Sequence, residues 1–257
     1  MRGRTMLLEK KVSVITGALG AIGQTMTRMF LREGSLVIGT DLDKAVREEE
    51  AFIERVGREF GDQYIILSCD ISKVEEIRSL GRKISERGLV PEILVNNAGI
   101  NYLGYARDVT EENWDHILGV NLKGAFFMSQ CIGKLMMEGK GGAIVNIASQ
   151  HGEVANLQRA PYCASKAGLI NLTRALCLEW AEYGIRVNSV LPTFVLTEKN
   201  EQMLMQSGRY RTYMREIPLR RYATAEDVAN AVLFFVSDRA SMITGQALAV
   251  DGGYLAK

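Results

Sequence analysis

The chain has 257 residues, 47% of them hydrophobic and 24% charged, an ordinary length for one α/β domain with enough apolar residues to cover strands on both faces. Its 31 basic and 30 acidic residues leave a formal charge of +1, so no global field attracts nucleic acid or an anionic membrane, and neither is an expected partner. Met1 to Leu8 lacks the apolar core of a signal peptide, no run approaches the roughly 18 apolar residues of a membrane span, and Cys69, Cys131, Cys163 and Cys177 have neither disulfide nor metal-ligand spacing; a cytoplasmic protein with reduced thiols and no metal is expected.

Val12-Ser13-Val14-Ile15-Thr16 is β-branched and apolar and reads as a strand. Gly17-Ala18-Leu19-Gly20-Ala21-Ile22-Gly23 follows at once, and Ile22, Met26, Met29 and Phe30 then recur at helical spacing up to Glu33-Gly34. Strand, glycine turn and helix in that order suit a pyrophosphate: glycine lets the backbone approach closely, and the helix start offers free N–H groups at the positive end of its dipole. A second strand, Leu36 to Thr40, runs into Asp41, about 20 residues past the glycines, where a carboxylate can accept hydrogen bonds from the ribose of an adenosine. The competing reading is a plain glycine turn, with Asp41 capping a helix before Lys44.

Further strands are expected at Tyr64–Ser68, Ile93–Asn96, Ala143–Ala148, Arg186–Leu191 and Gln246–Val250. Helices are expected at Lys44–Phe60, Lys73–Glu86, Glu111 to about Glu138, Ala160–Tyr183 and Ala225–Ser237. The alternation runs without linker or repeat, which predicts a single domain over 1–257: a Rossmann-type, doubly wound parallel α/β sheet of about seven strands with helices on both faces. Thr16, Asp41, Asp70, Asn96, Ser149 and Pro192 would then share the carboxyl edge of the sheet, where ligands bind at the topological switch point.

Ser149 closes one of those strands, and Tyr162-Cys163-Ala164-Ser165-Lys166 follows on a helix. Residues four apart share a helix face, so the phenol and the ammonium are neighbours. An unperturbed phenol ionises near pH 10, so acting as a base near neutrality requires about 4 kcal/mol of preferential stabilisation of the phenolate. A fixed cation such as Lys166 is one source of it.

Together these residues resemble the short-chain dehydrogenase/reductase family over nearly the whole chain. The family's Thr-Gly-x-x-x-Gly-x-Gly matches at Thr16, Gly17 and Gly23, with Ala21 in place of the middle glycine and Gly20 one position earlier. Asn96-Asn97-Ala98-Gly99 matches the family's Asn-Asn-Ala-Gly, and Asn121, Ser149, Tyr162 and Lys166 match its catalytic positions. The resemblance implies hydride transfer between a nicotinamide and a secondary alcohol or ketone. In it Tyr162 is the acid/base, Lys166 lowers its pKa and binds the nicotinamide ribose, Ser149 holds the substrate oxygen, and Asn121 positions a water linking Lys166 to solvent. It further implies cofactor contacts from Gly17, Gly20, Ile22, Gly23, Asp41, Asp70, Ile71, Asn97, Ala98 and Gly99, and, on the nicotinamide side, from Tyr162, Lys166, Pro192, Val195 and Thr197.

Asp41 favours NAD over NADP, because a carboxylate about 4 Å from a 2′-phosphate costs roughly 4 kcal/mol per unit charge at an effective dielectric near 20. The segment from about 193 to 217 corresponds to the family's variable substrate lid. It carries cations at Arg209, Arg211 and Arg215 and few large apolar residues, which suits a polar or anionic substrate, although a solvated helix face explains the same residues. Gln150, His151, Asn156 and Arg159 can line the substrate pocket with hydrogen-bond donors; His151 reads more readily as an exposed loop residue than as a substrate contact, and His116 as structural or surface. Asn146-Ile147-Ala148-Ser149, Glu179-Trp180-Ala181 and the closing Ala249 to Lys257 look most like sugar-acid and polyol dehydrogenases. A 3-oxoacyl-(acyl-carrier-protein) reductase is the nearest alternative, and a non-catalytic dinucleotide-binding protein a remote one. The family also implies a homotetramer.

Overall fold

Short runs of β-branched and aliphatic residues pair into one seven-stranded parallel sheet in the computed structural model, which describes residues 6–197, 201, 202, 205, 206, 208 and 210–256. The strands are β1 (Val12–Thr16), β2 (Leu36–Asp41), β3 (Tyr64–Ser68), β4 (Ile93–Asn96), β5 (Gly142–Ile147), β6 (Ile185–Pro192) and β7 (Ala247–Val250), in the spatial order 3-2-1-4-5-6-7. Every neighbouring pair is parallel, so each connection must cross a face of the sheet. The chain winds outward from β1 in both directions, and the reversal between β1 and β4 opens a crevice at the carboxyl edge.

The crossovers carry α1 (Ala21–Arg32), α2 (Asp43–Glu48), α3 (Glu50–Phe60), α4 (Val74–Ser85), α5 (Glu111–Leu118), α6 (Ala125–Glu138), α7 (Ala160–Trp180), α8 (Tyr210–Glu216) and α9 (Ala225–Val236). Successive strand side chains face opposite sides of a sheet, and the two main cores follow that period. On one face Ile15, Val95 and Val145 pack with Met26, Phe30 and Phe235; on the other Val14, Leu94 and Ile144 pack with Ile77, Met128 and Leu176.

Two expected helices are interrupted. The one placed at Lys44–Phe60 breaks at Glu49, whose φ of −107° and ψ of 25° end α2 and begin α3. Glu49 is tied back to α1, accepting from Gln24 Nε2 at 3.0 Å, and that tie holds the turn against the crevice. The helix placed at Glu111 to Glu138 contains a π-helical turn at Gly119–Gly124 between α5 and α6. Asn121 sits in this turn and is 1% exposed; its Oδ1 accepts from Ile100 N at 2.8 Å, while its Nδ2 donates to Ile100 O at 2.9 Å and to Ser165 Oγ at 3.1 Å. A side chain bonded on both sides to a neighbouring strap holds the widened turn in place, as π-bulges at functional sites commonly require. No helix among the described residues is long and apolar enough to cross a membrane.

Candidate active site

At the end of β1 the chain turns through Gly17, whose φ of 61° lies in the left-handed region and whose Cβ, if it had one, would sit 2.8 Å from Ala98 Cα. Gly23 has no room for a side chain either, since a Cβ there would lie 2.1 Å from the Gly17 carbonyl oxygen. Gly20 differs. A Cβ on it would meet only that oxygen, at an ordinary 3.5 Å, so its bare backbone leaves space over the start of α1, whose N-terminus no side chain caps. Unclaimed N–H groups, the positive dipole end and this space together fit a pyrophosphate.

The loop is clamped from β4. Thr16 Oγ1 accepts from the backbone N–H groups of Asn97 and Ala98, both at 3.0 Å, and Asn97 Nδ2 donates to the carbonyls of Thr16 and Gly17, also at 3.0 Å. Asn96 faces into the sheet instead and donates to Ser129 Oγ and Asn146 Oδ1, both at 2.8 Å; Asn146 in turn donates to Thr173 Oγ1 at 2.9 Å. This buried polar ladder ties β4 and β5 to α6 and α7, and no sequence pattern announces it.

A cavity of about 520 Å³ runs along the carboxyl edge. Asp41, Asp70 and Ile71 line one end, Gly17, Gly20 and Ile22 the middle, and Asn97, Ala98, Gly99 and Thr197 the remainder. Asp41 also anchors the glycine loop, its Oδ2 accepting from Leu19 N at 3.0 Å and its Oδ1 from Leu42 N at 2.9 Å. Burial works to raise the Asp70 pKa, but hydrogen bonds from Ser72 and the Lys73 ammonium hold it below its ordinary value. Glu48, Glu49 and His116 line the same cavity. Sequence reasoning missed the two glutamates, because only the break at Glu49 turns them toward the crevice.

A second cavity, of about 220 Å³, shares Ile22, Asn97, Gly99 and Ile100 with the first and ends on Ser149, Tyr162, Lys166, Pro192 and Val195. Ser149 Oγ accepts from His151 N at 3.1 Å, and its hydroxyl is hydrogen-bonded to the Tyr162 phenol. Lys166 Nζ donates to the Ile147 carbonyl at 2.7 Å and lies 5.7 Å from the centre of the Tyr162 ring. Gly99 separates it from Asn121: a Cβ there would be 3.3 Å from Lys166 Nζ and 3.4 Å from Asn121 Oδ1.

The electrostatics depart from the expectation that Lys166 makes Tyr162 acidic. Burial pushes the phenol pKa up, and the Ser149 hydrogen bond and the positive charge of Arg159 only partly oppose it. Burial also pushes Lys166 down to about 8, so its own charge is weakened in the place where it was expected to act.

The four residues expected to line the substrate pocket divide into two pairs. Gln150 and His151 are buried at 1% and 5% exposure and do not border the second cavity. Neither atom of the Gln150 amide has a hydrogen-bond partner among the described residues. His151 Nε2 lies 3.2 Å from Asn156 Nδ2, and its ring meets Phe194 and Tyr254 edge-on, at 5.6 and 6.4 Å between centroids. Burial first, then the Arg159 charge, push its pKa down to about 4, so the imidazole is neutral near pH 7. Asn156 and Arg159 are half-buried and do not border the second cavity either.

The expected scarcity of large apolar groups in the lid is also corrected. Phe194 stacks on Tyr213 at 4.2 Å between centroids, with Tyr222 and Tyr254 edge-on around it. Arg211 and Arg215 are exposed, whereas Glu198, Lys199 and Arg209 lie outside the described residues.

A switch-point groove with a glycine cradle at its middle and a serine, tyrosine and lysine at its end defines a dinucleotide-dependent oxidoreductase. A family model described as enoyl-(acyl carrier protein) reductase matches residues 17–255. The NAD-dependent glycerol dehydrogenase of Listeria innocua is 40% identical over 96% of this chain and 94% of its own. A 3-oxoacyl-(acyl-carrier-protein) reductase of Thermotoga maritima is 38% identical over 96% of this chain and 99% of its own. The crystal structure of a gluconate 5-dehydrogenase from Burkholderia cenocepacia, in complex with NADP and tartrate, superposes with a TM-score of 0.90 at 28% identity, covering 98% of both chains. The chain belongs to the short-chain dehydrogenase/reductase family and is an oxidoreductase acting on CH–OH groups.

Proposed function

We propose that the protein, acting as one domain over 1–257 with a lid at about 193–217, transfers hydride between NAD(H) and a secondary alcohol or ketone of a sugar acid, sugar or polyol. The observation that carries this is the continuity of the two cavities, which brings the Asp41 end of the groove and the Ser149–Tyr162–Lys166 end into one site. A bound nicotinamide supplies the hydride acceptor or donor. Tyr162 takes the alcohol proton, Ser149 donates to the substrate oxygen, Lys166 holds the ribose side of the groove, and Asn121, across Gly99 from Lys166, positions the water that carries the proton outward.

The preference for NAD rests on three carboxylates. Asp41, Glu48 and Glu49 all line the adenosine end, where a carboxylate repels a 2′-phosphate by roughly 4 kcal/mol per unit charge at 4 Å and an effective dielectric near 20; Lys44, 3.6 Å from Glu48, offsets part of that charge. The glycerol dehydrogenase relative is NAD-dependent, whereas the gluconate 5-dehydrogenase was crystallised with NADP, so the carboxylates are what favour NAD here. The 38% identity to a 3-oxoacyl-(acyl-carrier-protein) reductase keeps that activity as the second reading.

Initial rates with NAD⁺ and NADP⁺ over sugar acids, sugars, polyols and hydroxyacyl thioesters separate the two. Turnover of a sugar acid or polyol with NAD⁺ is the expected result; activity confined to thioesters and NADP⁺ overturns both the substrate class and the cofactor preference.

We assign the working form as a cytoplasmic homotetramer. Met242, Leu178, Leu219 and Leu248 are apolar and exposed on the single chain, and partner subunits would cover such a surface. Sedimentation equilibrium at micromolar protein checks this, and a mass of one subunit rules it out.

A further inference from the structure

The helix that brings Tyr162 to the end of the second cavity is preceded by a cation that the proton relay does not use. Arg159 is half-buried, and its side chain makes no hydrogen bond or ion pair with any described residue. The acid nearest it in sequence, Glu153, is engaged with Arg174 at 3.9 Å. Arg159 is the residue before α7, with φ −135° and ψ 24°, and its carbonyl accepts from Cys163 N at 2.8 Å. Tyr162 is three residues further on, the spacing at which side chains on a helix are neighbours.

The segment leading into Arg159 is fixed at two points. Asn156 is bonded to His151, and the Gln158 carbonyl, on a residue with φ of 64°, accepts from Gly104 N at 3.0 Å. Arg159 is therefore presented from a held loop, and its positive charge reaches both Tyr162 and His151, the groups on either side of it. His151 is neutral and bonded to a neutral amide, and the lid arginines Arg211 and Arg215 are exposed, so Arg159 is the half-buried cation in this cluster.

A half-buried guanidinium with no counter-ion among the described residues is open to an anion, and its planar fork matches a carboxylate with two parallel hydrogen bonds. We propose that Arg159 binds the carboxylate of the substrate, so that the enzyme selects a hydroxy acid or keto acid over the neutral polyol of the same carbon chain. This rests on the hydride-transfer reading of Tyr162 for its position in the reaction, and on Arg159 alone for the anion. Asn156 beside it is placed to meet substrate hydroxyls, and the Phe194–Tyr213 stack offers an apolar wall to the carbon chain.

The test is calorimetric binding to the NADH-saturated enzyme, where an alcohol forms a dead-end complex and does not turn over. Two matched pairs are used: D-gluconate with D-glucitol, and threonate with threitol. The wild type is expected to bind the acid of at least one pair about 10- to 100-fold more tightly than the polyol. Arg159→Gln is expected to bring that ratio close to one, and Arg159→Lys to retain part of it, with NADH affinity in each variant reporting that the fold is intact. A wild-type ratio near one in both pairs, no binding of any of the four, or a ratio that survives Arg159→Gln overturns the proposal. Should Arg159→Gln fail to bind NADH, a ratio retained at least in part in Arg159→Lys and lost in the further variant Arg159→Met supports a cation at this position, and an unchanged preference in Arg159→Met overturns it. Turnover of thioesters alone, with an Arg159-dependent preference for acids intact, would sink the sugar-acid reaction and leave the anion site standing; polyol turnover without any acid preference would do the reverse.

Discussion

Tyr162→Phe is expected to lower kcat for alcohol oxidation by ~10²–10⁴-fold, the usual contribution of a positioned general acid/base, with a far smaller effect on NADH affinity. The pH dependence of the wild type bears on the same group. Burial raises the phenol pKa, so the phenolate that accepts the alcohol proton becomes more abundant as pH rises. Oxidation should therefore accelerate from about pH 6 to pH 9, while ketone reduction, which needs the protonated phenol, is sustained over the same range and falls only as the phenol ionises. Lys166 acts in the opposite sense. With its pKa pushed down to about 8, it loses charge above that pH, removing a cation 5.7 Å from the Tyr162 ring, so the oxidative profile should flatten at the alkaline end. Steady-state kcat/KM in both directions and a fluorescence titration of NADH check these points. A variant retaining more than a tenth of the wild-type rate, or a wild-type oxidative optimum near pH 6, would remove Tyr162 from the proton step.

The main lines of the site were legible because most of its groups outside the Tyr162–Lys166 helix sit at the ends of strands, and strands announce themselves by composition. Thr16, Asp41, Asp70, Asn96, Ser149 and Pro192 fall at or just past the carboxyl ends of β1 to β6, so scattered positions converge once the strands are parallel. What escaped the sequence depends on how remote segments meet. The aromatic wall joins Phe194, Tyr213 and Tyr254, contributed by three separate stretches of the carboxyl third, and no periodicity links them. The π-helical turn at Gly119–Gly124 lies between α5 and α6, and the bonding of Asn121 to Ile100 that holds it is visible only when the strap after β4 is in place. The direction of the Tyr162 shift escaped for a similar reason. Spacing places Lys166 one turn away, but burial is a property of the whole fold, and it raises the phenol while weakening the lysine charge meant to lower it.

Gly23→Ala and Gly20→Ala should fail in different ways, and the contrast tests the cradle. At Gly23 the new methyl would lie 2.1 Å from the Gly17 carbonyl oxygen and 2.8 Å from Ala18 Cα, both backbone atoms held by the Thr16–Asn97 clamp, so either the loop or the start of α1 must move. Overpacking of this kind costs about 1–3 kcal/mol, and in a chain of this size it should lower the melting temperature by several degrees. Cofactor affinity falls with it, by about 10-fold or more, because the displaced N–H groups no longer converge. At Gly20 the backbone, with φ −74° and ψ 162°, accepts alanine without strain, and the methyl enters open space. Thermal stability without cofactor should then match the wild type, while NADH binding weakens because the methyl occupies the volume that the pyrophosphate needs. Differential scanning calorimetry with and without NADH reads both effects. If Gly20→Ala binds NADH as tightly as the wild type, the pyrophosphate does not lie over the start of α1; if Gly23→Ala melts like the wild type, the close approach of α1 to the glycine loop is not a constraint on the fold.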